Sequence, residues 1–589
     1  MSLPGVDDFV IRCVAPLAAI FLVSGLDDLA IDFAWLYAWV ADRMTVSRRD
    51  ARRFPDVPPR PIAILVPLWY EHEVIARMLE HNLTAIRYPS YHIFAGIYAN
   101  DAATEEAVAL ISERFDNVHL AVCPHDGPTS KADCLNWIYQ NVGLYEEQNG
   151  IRFDIIVTHD AEDLIHPEEL RWINAYASRF DFIQIPVLAL ATPFWSFTHG
   201  VYCDEFAEYH TRDMVVRSSF GCFVPGSGVG TGYRREALEE LARASSNRVF
   251  EPVALTEDYE SGLRLYRLGC RQVFVPLTRL VPHSRDFLAT REFFPQNWST
   301  ALRQRTRWVM GIALQGWERF GWAGSRSEIY WLWRDRKGLA GSPLGLVANA
   351  MFIYGLATAM WTRLTPLATE LTFVTLGLQV LRIAIRMACV ARVYGPVFAL
   401  GVPLRMPYAN LLNAAATVRA VGRYVAARVQ GLPLRWIKTE HSYPTRAALL
   451  VHKRLLGEIL AGSGYLSAAT VERALDACPA GTRLGEFLVG SGELTEAALY
   501  EALSLQQGLP VAHVDAQQIP PRVARALPER VAREWRVLPF NVIDGSLLLA
   551  SPDLPTPAMA EAIRPFTALE IHFHLVTPSE YEQLLDALL

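Results

Sequence analysis

Cysteine is scarce and unpatterned in this chain: eight residues in 589, with no CxxC pair and no regular spacing. That argues against a zinc ribbon or a disulfide scaffold and predicts thiols that stay reduced. Basic charge is not in excess either. The 55 Lys+Arg stand against 62 Asp+Glu for a net charge of -7, so no nucleic acid partner is expected. The first apolar run has no basic stretch before it and no small-residue cleavage site after it, so it reads as an anchor and not as a secretory leader. What the chain does have is apolar surface. Its 15 Trp and mean hydropathy of +0.14 point to membrane segments.

Three runs supply that surface. Within residues 1–54, an apolar stretch of 18 at about 9–26 is long enough to cross a bilayer; Asp27 and Asp28 close it, and 29–40 reads as an interfacial segment. Arg43, Arg48, Arg49, Arg52, Arg53 and Arg60 follow and place that side in the cytoplasm. A second domain of membrane character, 336–440, holds spanning runs at about 341–362 and 366–390. The Gly/Pro-broken piece 393–404 is too short to span and predicts a re-entrant or interfacial turn. Residues 407–430, with Arg419, Arg423 and Arg428, predict a basic amphipathic helix on the inner surface. The expectation is a multi-pass protein whose large domains share the cytoplasmic face of a lipid bilayer.

Between the runs, residues 55–335 alternate strand and helix, which predicts an α/β, doubly wound sheet. Predicted strands at 60–67, 92–98, 118–123 and 154–158 are β-branched and apolar, and the fourth delivers Asp160 at its C-terminal end, where ligands sit in such sheets. Asp160 and Glu162 alternate along that loop and can present oxygens on one side, a donor set suited to Mg2+ or Mn2+. The alternative is an acid-rich helix N-terminus before His166. Gln304, Arg307 and Trp308 lie at i, i+3 and i+4, hence on one helix face. An Arg fork suits pyrophosphate and an indole face suits a sugar ring; the competing reading is an interfacial helix facing lipid phosphate.

Four clusters in chain order resemble the membrane-bound family 2 glycosyltransferases: Val66-Pro67-Leu68-Trp69-Tyr70-Glu71, His159-Asp160-Ala161-Glu162-Asp163, Thr256-Glu257-Asp258 and Gln304-Arg305-Thr306-Arg307-Trp308. The resemblance implies a GT-A, nucleotide-sugar-binding fold over 55–335. It implies that Asp258, with Glu257 beside it, is the base of an inverting transfer. Asp160 and Glu162 would hold the metal, although the family's D-x-D is D-x-E here, with Asp163 just beyond. Glu71 and Asp101 would contact the nucleoside, Lys131 lies in a G-P-x-x-K-A-D-x-L-N run like the family's, and Gln304, Arg307 and Trp308 form its Q-x-x-R-W signature. Phe223 to Gly232, rich in small residues, is similar to the acceptor-side loop.

The function so implied is a metal-dependent bacterial inner-membrane hexosyltransferase. It would use a UDP-sugar, read as a UDP-N-acetylhexosamine, to build a secreted polysaccharide with an outer-membrane export partner. One alternative is the transfer of one sugar to a lipid or short glycan acceptor. Another, of a different class, is an inactive signal-responsive receptor or scaffold.

Residues 441–589 hold a repeat. A 28-residue shift superposes Leu456-Gly457-Glu458-Ile459-Leu460 on Leu484-Gly485-Glu486-Phe487-Leu488, each copy being a helix, a Gly break and a second helix. This is similar to the tandem MshEN motif, and 511–589 resembles the rest of the N-terminal domain of type II secretion ATPases, a small α then α/β unit. The resemblance implies a cytoplasmic domain through which cyclic di-GMP activates the enzyme. Arg454, Leu456 and Gly457 would bind one half of the dinucleotide, and Arg483, Leu484, Gly485 and Gln506 the other. The first copy departs from the pattern, with Leu455 in place of Arg and Cys478 in place of Gln.

Overall fold

The computed structural model describes residues 4–45, 57–245, 248–278, 287–432, 434, 456–462, 465–479, 481–507, 509–512, 514, 516–543, 546–567 and 569–588. Two compact units emerge: Met1–Asn82 with Ile86–Tyr443, and Leu83–Ala85 with Pro444–Leu589.

The first unit opens with α1 (Pro4–Thr45), one continuous helix of 42 residues. The expected close at Asp27-Asp28 and the separate interfacial segment are therefore not present. The physical reason lies in the partners of the two acids. Arg334 and Arg382 form short ion pairs with Asp27 and Asp28 respectively, and the Lys337 ammonium stands 2.7 Å from Asp27. Carboxylates neutralised in this way need not end an apolar helix.

The α/β core then builds in chain order: β1 (Ile62–Pro67), α2 (His72–Ala85), β2 (Tyr91–Tyr98), α3 (Ala102–Ser112), β3 (Val118–Cys123), α4 (Lys131–Asn149) and β4 (Ile155–Thr158). After these come β5 (Phe182–Gln184), β6 (Val187–Ala189), α5 (Phe197–Glu208), β7 (Thr231–Arg234), α6 (Glu257–Arg267), β8 (Gln272–Phe274), β9 (Thr290–Glu292) and α7 (Trp298–Trp308). Seven strands form one sheet in the order β3-β2-β1-β4-β7-β5-β8; β7 runs antiparallel to both neighbours and the other pairs are parallel. Ile62 through Val66 are wholly buried, as expected of a strand covered on both faces. Strand order turns at β1, between β2 and β4, so a crevice opens beyond the C-terminal ends of β1 and β4.

Four helices complete the unit: α8 (Arg326–Arg336), α9 (Gly338–Thr358), α10 (Pro366–Tyr394) and α11 (Val402–Val429). Gly5–Ala38 of α1, with α9 and α10, are long and apolar enough to cross a membrane by length and composition. α10 packs along α1 and α5, and α11 packs against α7 and α9. Between α10 and α11, Gly395 at φ 95 and Pro396 break the chain for one short helical turn, so the predicted interfacial piece is no more than that turn. α11 buries Ala409, Leu412, Ala416 and Ala420, while Leu404, Leu411, Val418 and Val425, seven residues apart, form an exposed apolar stripe. That is the amphipathic helix expected of 407–430, extended at its start.

In the second unit the sequence repeat is also a repeat of contacts. Its helices are α12 (Leu456–Gly462), α13 (Ala468–Ala477), α14 (Leu484–Gly490) and α15 (Glu496–Gln507). A Cβ on Gly457 would meet Val471, and one on Gly485 would meet Leu499, the equivalent pair 28 positions on. The Leu466 N–H donates to the Leu460 carbonyl at 3.1 Å, as the Leu494 N–H does to Leu488. Ser467 and Thr495 accept from the third residue beyond them in the same way. A three-stranded sheet follows, β10 (Leu538–Ile543), β11 (Ser546–Ser551) and β12 (Glu570–Leu575), antiparallel then parallel.

Candidate active site

At the end of β1 the chain turns sharply. Tyr70 has φ 53, a left-handed conformation that is costly for a bulky residue. Asp101 holds it there, accepting the Tyr70 N–H at 2.6 Å on one oxygen and the Thr104 N–H at 3.4 Å on the other. The Thr104 hydroxyl accepts the Glu71 N–H at 3.0 Å. Glu71 lines the cleft, and Asp101 holds the corner that presents Trp69 and Glu71.

β4 ends in a buried ion-pair cluster. The His159 imidazole lies 2.8 Å from Asp163 and 3.0 Å from Glu169. Burial disfavours its cation, yet Glu169 and Asp163 outweigh that and lift its pKa to about 9. Asp163 also accepts the Asp160 N–H at 3.0 Å, so this acid braces the loop from inside, while Asp160 and Glu162 line the cleft. Lys131, at the start of α4, stands 2.6 Å from Asp160 and 3.8 Å from Glu257. Burial works against its ammonium, but the charges of Asp160, Glu257 and Asp258 hold the pKa above the ordinary lysine value. Two cleft-facing carboxylates fit Mg2+ or Mn2+, which are bound by one or two carboxylates with phosphate oxygens completing the shell. Among the described residues no group of three His, Cys, Asp or Glu forms a ready-made metal cage.

The opposite wall comes from the start of α6. Thr256 occupies the N-cap position, but its hydroxyl makes no capping bond. Glu257 and Asp258 lie in the first turn, and Asp258 accepts the Tyr259 N–H at 2.8 Å. Burial raises both: Glu257 is pushed up to about 7, helped by the Asp258 charge, and Asp258 rises above its ordinary value despite Lys131 and Arg307. Gly228, at φ 79, brings the small-residue loop so close that a Cβ would stand 3.0 Å from Asp258 Oδ2 and 3.2 Å from Lys131 Nζ. Gln184 fixes this loop, accepting the Ser227 N–H and donating to the Val229 carbonyl, both at 2.9 Å.

α7 supplies the last wall and splits its residues by face. Gln304, Arg307 and Trp308 line the cleft. Arg305 turns away, ion-paired to Glu205 at 2.8 Å and lying over the Tyr202 ring. Arg307 Nε and Gln304 Oε1 are buried without a hydrogen-bond partner among the described residues, which suits groups awaiting a polar ligand. One cleft carboxylate escaped the sequence reading: Glu292, at the end of β9. Burial and the charges of Asp163, Glu162 and Asp160 push its carboxyl well above the ordinary range. A three-residue strand followed by Phe293-Phe294-Pro295 carries no signal that could have singled it out.

In the second unit, Leu456 and Gly457 open α12 and Leu484 and Gly485 open α14, in matching positions. Arg483 sits at the N-cap of α14 with its side chain 86% exposed, and Gln506 lies near the end of α15. Arg454 lies outside the described residues.

Two cleft-facing carboxylates, a buried acid pair and an Arg/Trp wall around one crevice describe a sugar-transferring enzyme, and the comparisons agree. Residues 58–311 match Glycosyltransferase like family 2, and 507–589 match the MshEN domain, so the matched part of the tail follows the repeat. The chain is 34% identical over 594 residues to bacteriophage adsorption protein B of Escherichia coli (strain K12), covering 95% of this chain and 79% of that protein. It belongs to the family of that protein, joining a family 2 glycosyltransferase domain to an MshEN domain. Among solved structures, MshE with cdg is 28% identical over 23% of this chain and 99% of that one, with a TM-score of 0.20. The mannosyltransferase PcManGT from Pyrobaculum calidifontis, in complex with GDP-Man and Mn2+, is 16% identical over 66% of this chain and 98% of that one, with a TM-score of 0.40.

Proposed function

We propose that this chain is an inverting, metal-dependent glycosyltransferase of the bacterial inner membrane, controlled by cyclic di-GMP. The observation that carries the reading is the convergence of Asp160, Glu162, Glu257, Asp258, Arg307 and Trp308 on one cleft at the strand ends. Asp160 and Glu162 would hold Mg2+ or Mn2+, which when bound offsets the charge of the departing nucleoside diphosphate. Arg307, with its partnerless Nε, donates to that diphosphate. Trp308 offers its indole face to the sugar. Asp258 takes the proton of the acceptor hydroxyl as its oxygen bonds to the anomeric carbon and the diphosphate leaves from the opposite face. Glu257, raised to about 7, holds a proton near neutrality and so spares Asp258 a second adjacent charge.

The donor reading is a UDP-sugar, an N-acetylhexosamine, and the product a secreted polysaccharide handed to an outer-membrane partner. In the domain arrangement we favour, 55–335 transfers the sugar, α1 with 336–440 holds it to the bilayer, and 441–589 senses the dinucleotide on the same cytoplasmic side. The competing reading, transfer to a lipid, gains from the apolar cavity described below. Nucleotide release by the purified protein, measured with Mg2+ or Mn2+, a panel of UDP-sugars and cyclic di-GMP present or absent, tests the proposal. Release from one donor, lost in Asp258→Asn, is the expected result. Silence with every donor from folded protein overturns it in favour of a receptor or scaffold.

A further inference from the structure

Asp258 faces two spaces. Besides the donor cleft, a cavity of about 1340 Å3 runs between α1, α9, α10 and α11, and Ser227, Thr256, Asp258, Glu292 and Trp308 belong to both walls. Its far walls are aliphatic and aromatic, for example Phe21, Leu344, Met351 and Leu378. α9 widens it with small residues: Gly341 and Gly345 face it, and a Cβ on either would meet nothing within 4 Å. The three helices that line most of it are the three apolar enough to cross a membrane.

Its charges are balanced in a telling way. Among the described residues all five Lys and Arg on the wall are already ion-paired, against eight Asp and Glu. Arg212 lies 2.6 Å from Asp32, Arg334 2.8 Å from Asp213, Lys337 2.7 Å from Asp27 and Arg386 2.5 Å from Glu208, while Arg382 pairs with Asp28. A phosphate head would find no spare cation among these groups and would meet surplus carboxylate. Asn349, Gln379 and Asn410 are uncharged hydrogen-bonding groups on the same wall. Arg307, with a free N–H, lines the donor cleft but not this cavity.

From this juxtaposition we propose that the cavity binds the acceptor, an amphiphile whose uncharged, hydroxyl-bearing head reaches Asp258 while its acyl tail lies between α1, α9 and α10. Resting on the transferase reading above, the reaction forms a bond between the head-group oxygen and the anomeric carbon and breaks the bond from that carbon to the diphosphate. The hydroxyl proton goes to Asp258.

The test uses full-length protein in nanodiscs and photoreactive dioleoylglycerol carrying a diazirine in one acyl chain, with the matching phosphatidic acid as competitor probe. Cross-links from the diacylglycerol probe at Leu344, Met351 and Leu378 are expected. They should fall at least tenfold in Gly345→Trp but not in Gly422→Trp, whose position is open yet outside the cavity. Undiminished labelling of the outward residues Ile353, Phe373 and Val380 shows that the Gly345→Trp helices are still folded and inserted; Ala348→Trp, on the same wall, replaces that variant if they are not. Equal labelling by phosphatidic acid would overturn the uncharged head, and labelling confined to outward residues would overturn the site, leaving a bare glycan as the acceptor. Donor cleavage to free nucleotide, measured on the same samples, reports separately on the transferase reading, since water can replace the acceptor there. Cross-linking without any donor cleavage sinks that reading and leaves the lipid site standing.

Discussion

Gly311 lies flush against Thr256: a Cβ at 311 would stand 2.5 Å from the threonine Oγ1. The contact comes from the π-helical segment Val309–Gln315 that continues α7. Four residues on, Gln315 accepts the Leu255 N–H at 2.9 Å and donates to the Val253 carbonyl at 2.7 Å. The helix carrying Arg307 and Trp308 thus clamps the segment leading to Glu257 and Asp258, and the contact at Gly311 bears on the acid pair itself. π-Turns of this kind recur at functional sites.

Gly311→Ala is expected to lower kcat for transfer at least tenfold while changing the donor KM less than threefold, because it shifts the acid pair and not the nucleotide wall. Gly422→Ala, on the open face of α11, should leave both unchanged. Steady-state kinetics on the two purified variants decide it; equal behaviour would show that the clamp does not position the acids.

The acid pair sets a pH dependence. Glu257 is raised to about 7, and burial raises Asp258 above its ordinary value. A protonated base cannot accept the hydroxyl proton, so kcat/KM should fall about tenfold per unit below an apparent pKa that lies above the ordinary aspartate value of about 4. An acid limb at about 4 would mean that burial does not govern Asp258 in the working enzyme. Asp258→Asn should cost about 100- to 10,000-fold at every pH, the usual share of a general base.

Asp160 and Glu162 together make metal removal informative. EDTA should abolish nucleotide release and added Mn2+ or Mg2+ restore it. Asp160→Asn should raise the metal concentration for half-activity at least tenfold. Asp163→Asn should act differently, lowering thermal stability, because Asp163 faces His159 and the Asp160 N–H and not the cleft.

His210 titrates with a defined sign. It is buried against the rings of Phe206, Tyr209 and Phe274 and donates to the Val187 carbonyl at 2.6 Å; burial lowers its pKa to about 4. The unfolded chain, near 6.5, binds a proton that the folded protein refuses. The neutral form's advantage is therefore complete above pH 6.5 and lost as pH falls toward 4, about 2 kcal/mol of it by pH 5. Unfolding in detergent at pH 7.5 and 5.0 should show a smaller pH difference for His210→Gln than for the parent.

Strand ends and helix faces were legible from sequence because each has a local cause. β1 is an uninterrupted buried apolar run, β4 is buried throughout, and Gln304, Arg307 and Trp308 share a face by spacing alone. What escaped is tertiary. Asp27 and Asp28 looked like a helix stop because Arg334, Lys337 and Arg382, more than 300 residues away, are invisible to a local reading. The part Asp101 plays at the corner escaped too, because nothing local shows that Tyr70 needs its N–H held in a left-handed turn. Glu292 reaches the cleft through the pairing of β9 with β6, two three-residue strands with no periodicity to read, and through the bridge of Arg291 to Leu164.

The second unit offers a gain-of-function test. Its two halves repeat backbone and packing contacts at a spacing of 28, so positions 478 and 506 are equivalent, yet one holds Cys and the other Gln. Cys478 ends α13, with its thiol turned to the Thr482 carbonyl at 3.4 Å. If each half binds one half of cyclic di-GMP, the first half lacks a hydrogen-bonding amide that the second retains. Cys478→Gln should then tighten binding of the dinucleotide to the full-length protein severalfold, and Arg483→Ala, which removes an exposed guanidinium at the N-cap of α14, should weaken it more than tenfold. Titration calorimetry on the parent and both variants reads this directly. A tighter Cys478→Gln with unchanged transferase stimulation would separate binding from activation; no change in affinity in either variant would place the dinucleotide elsewhere, or remove it from this family member altogether.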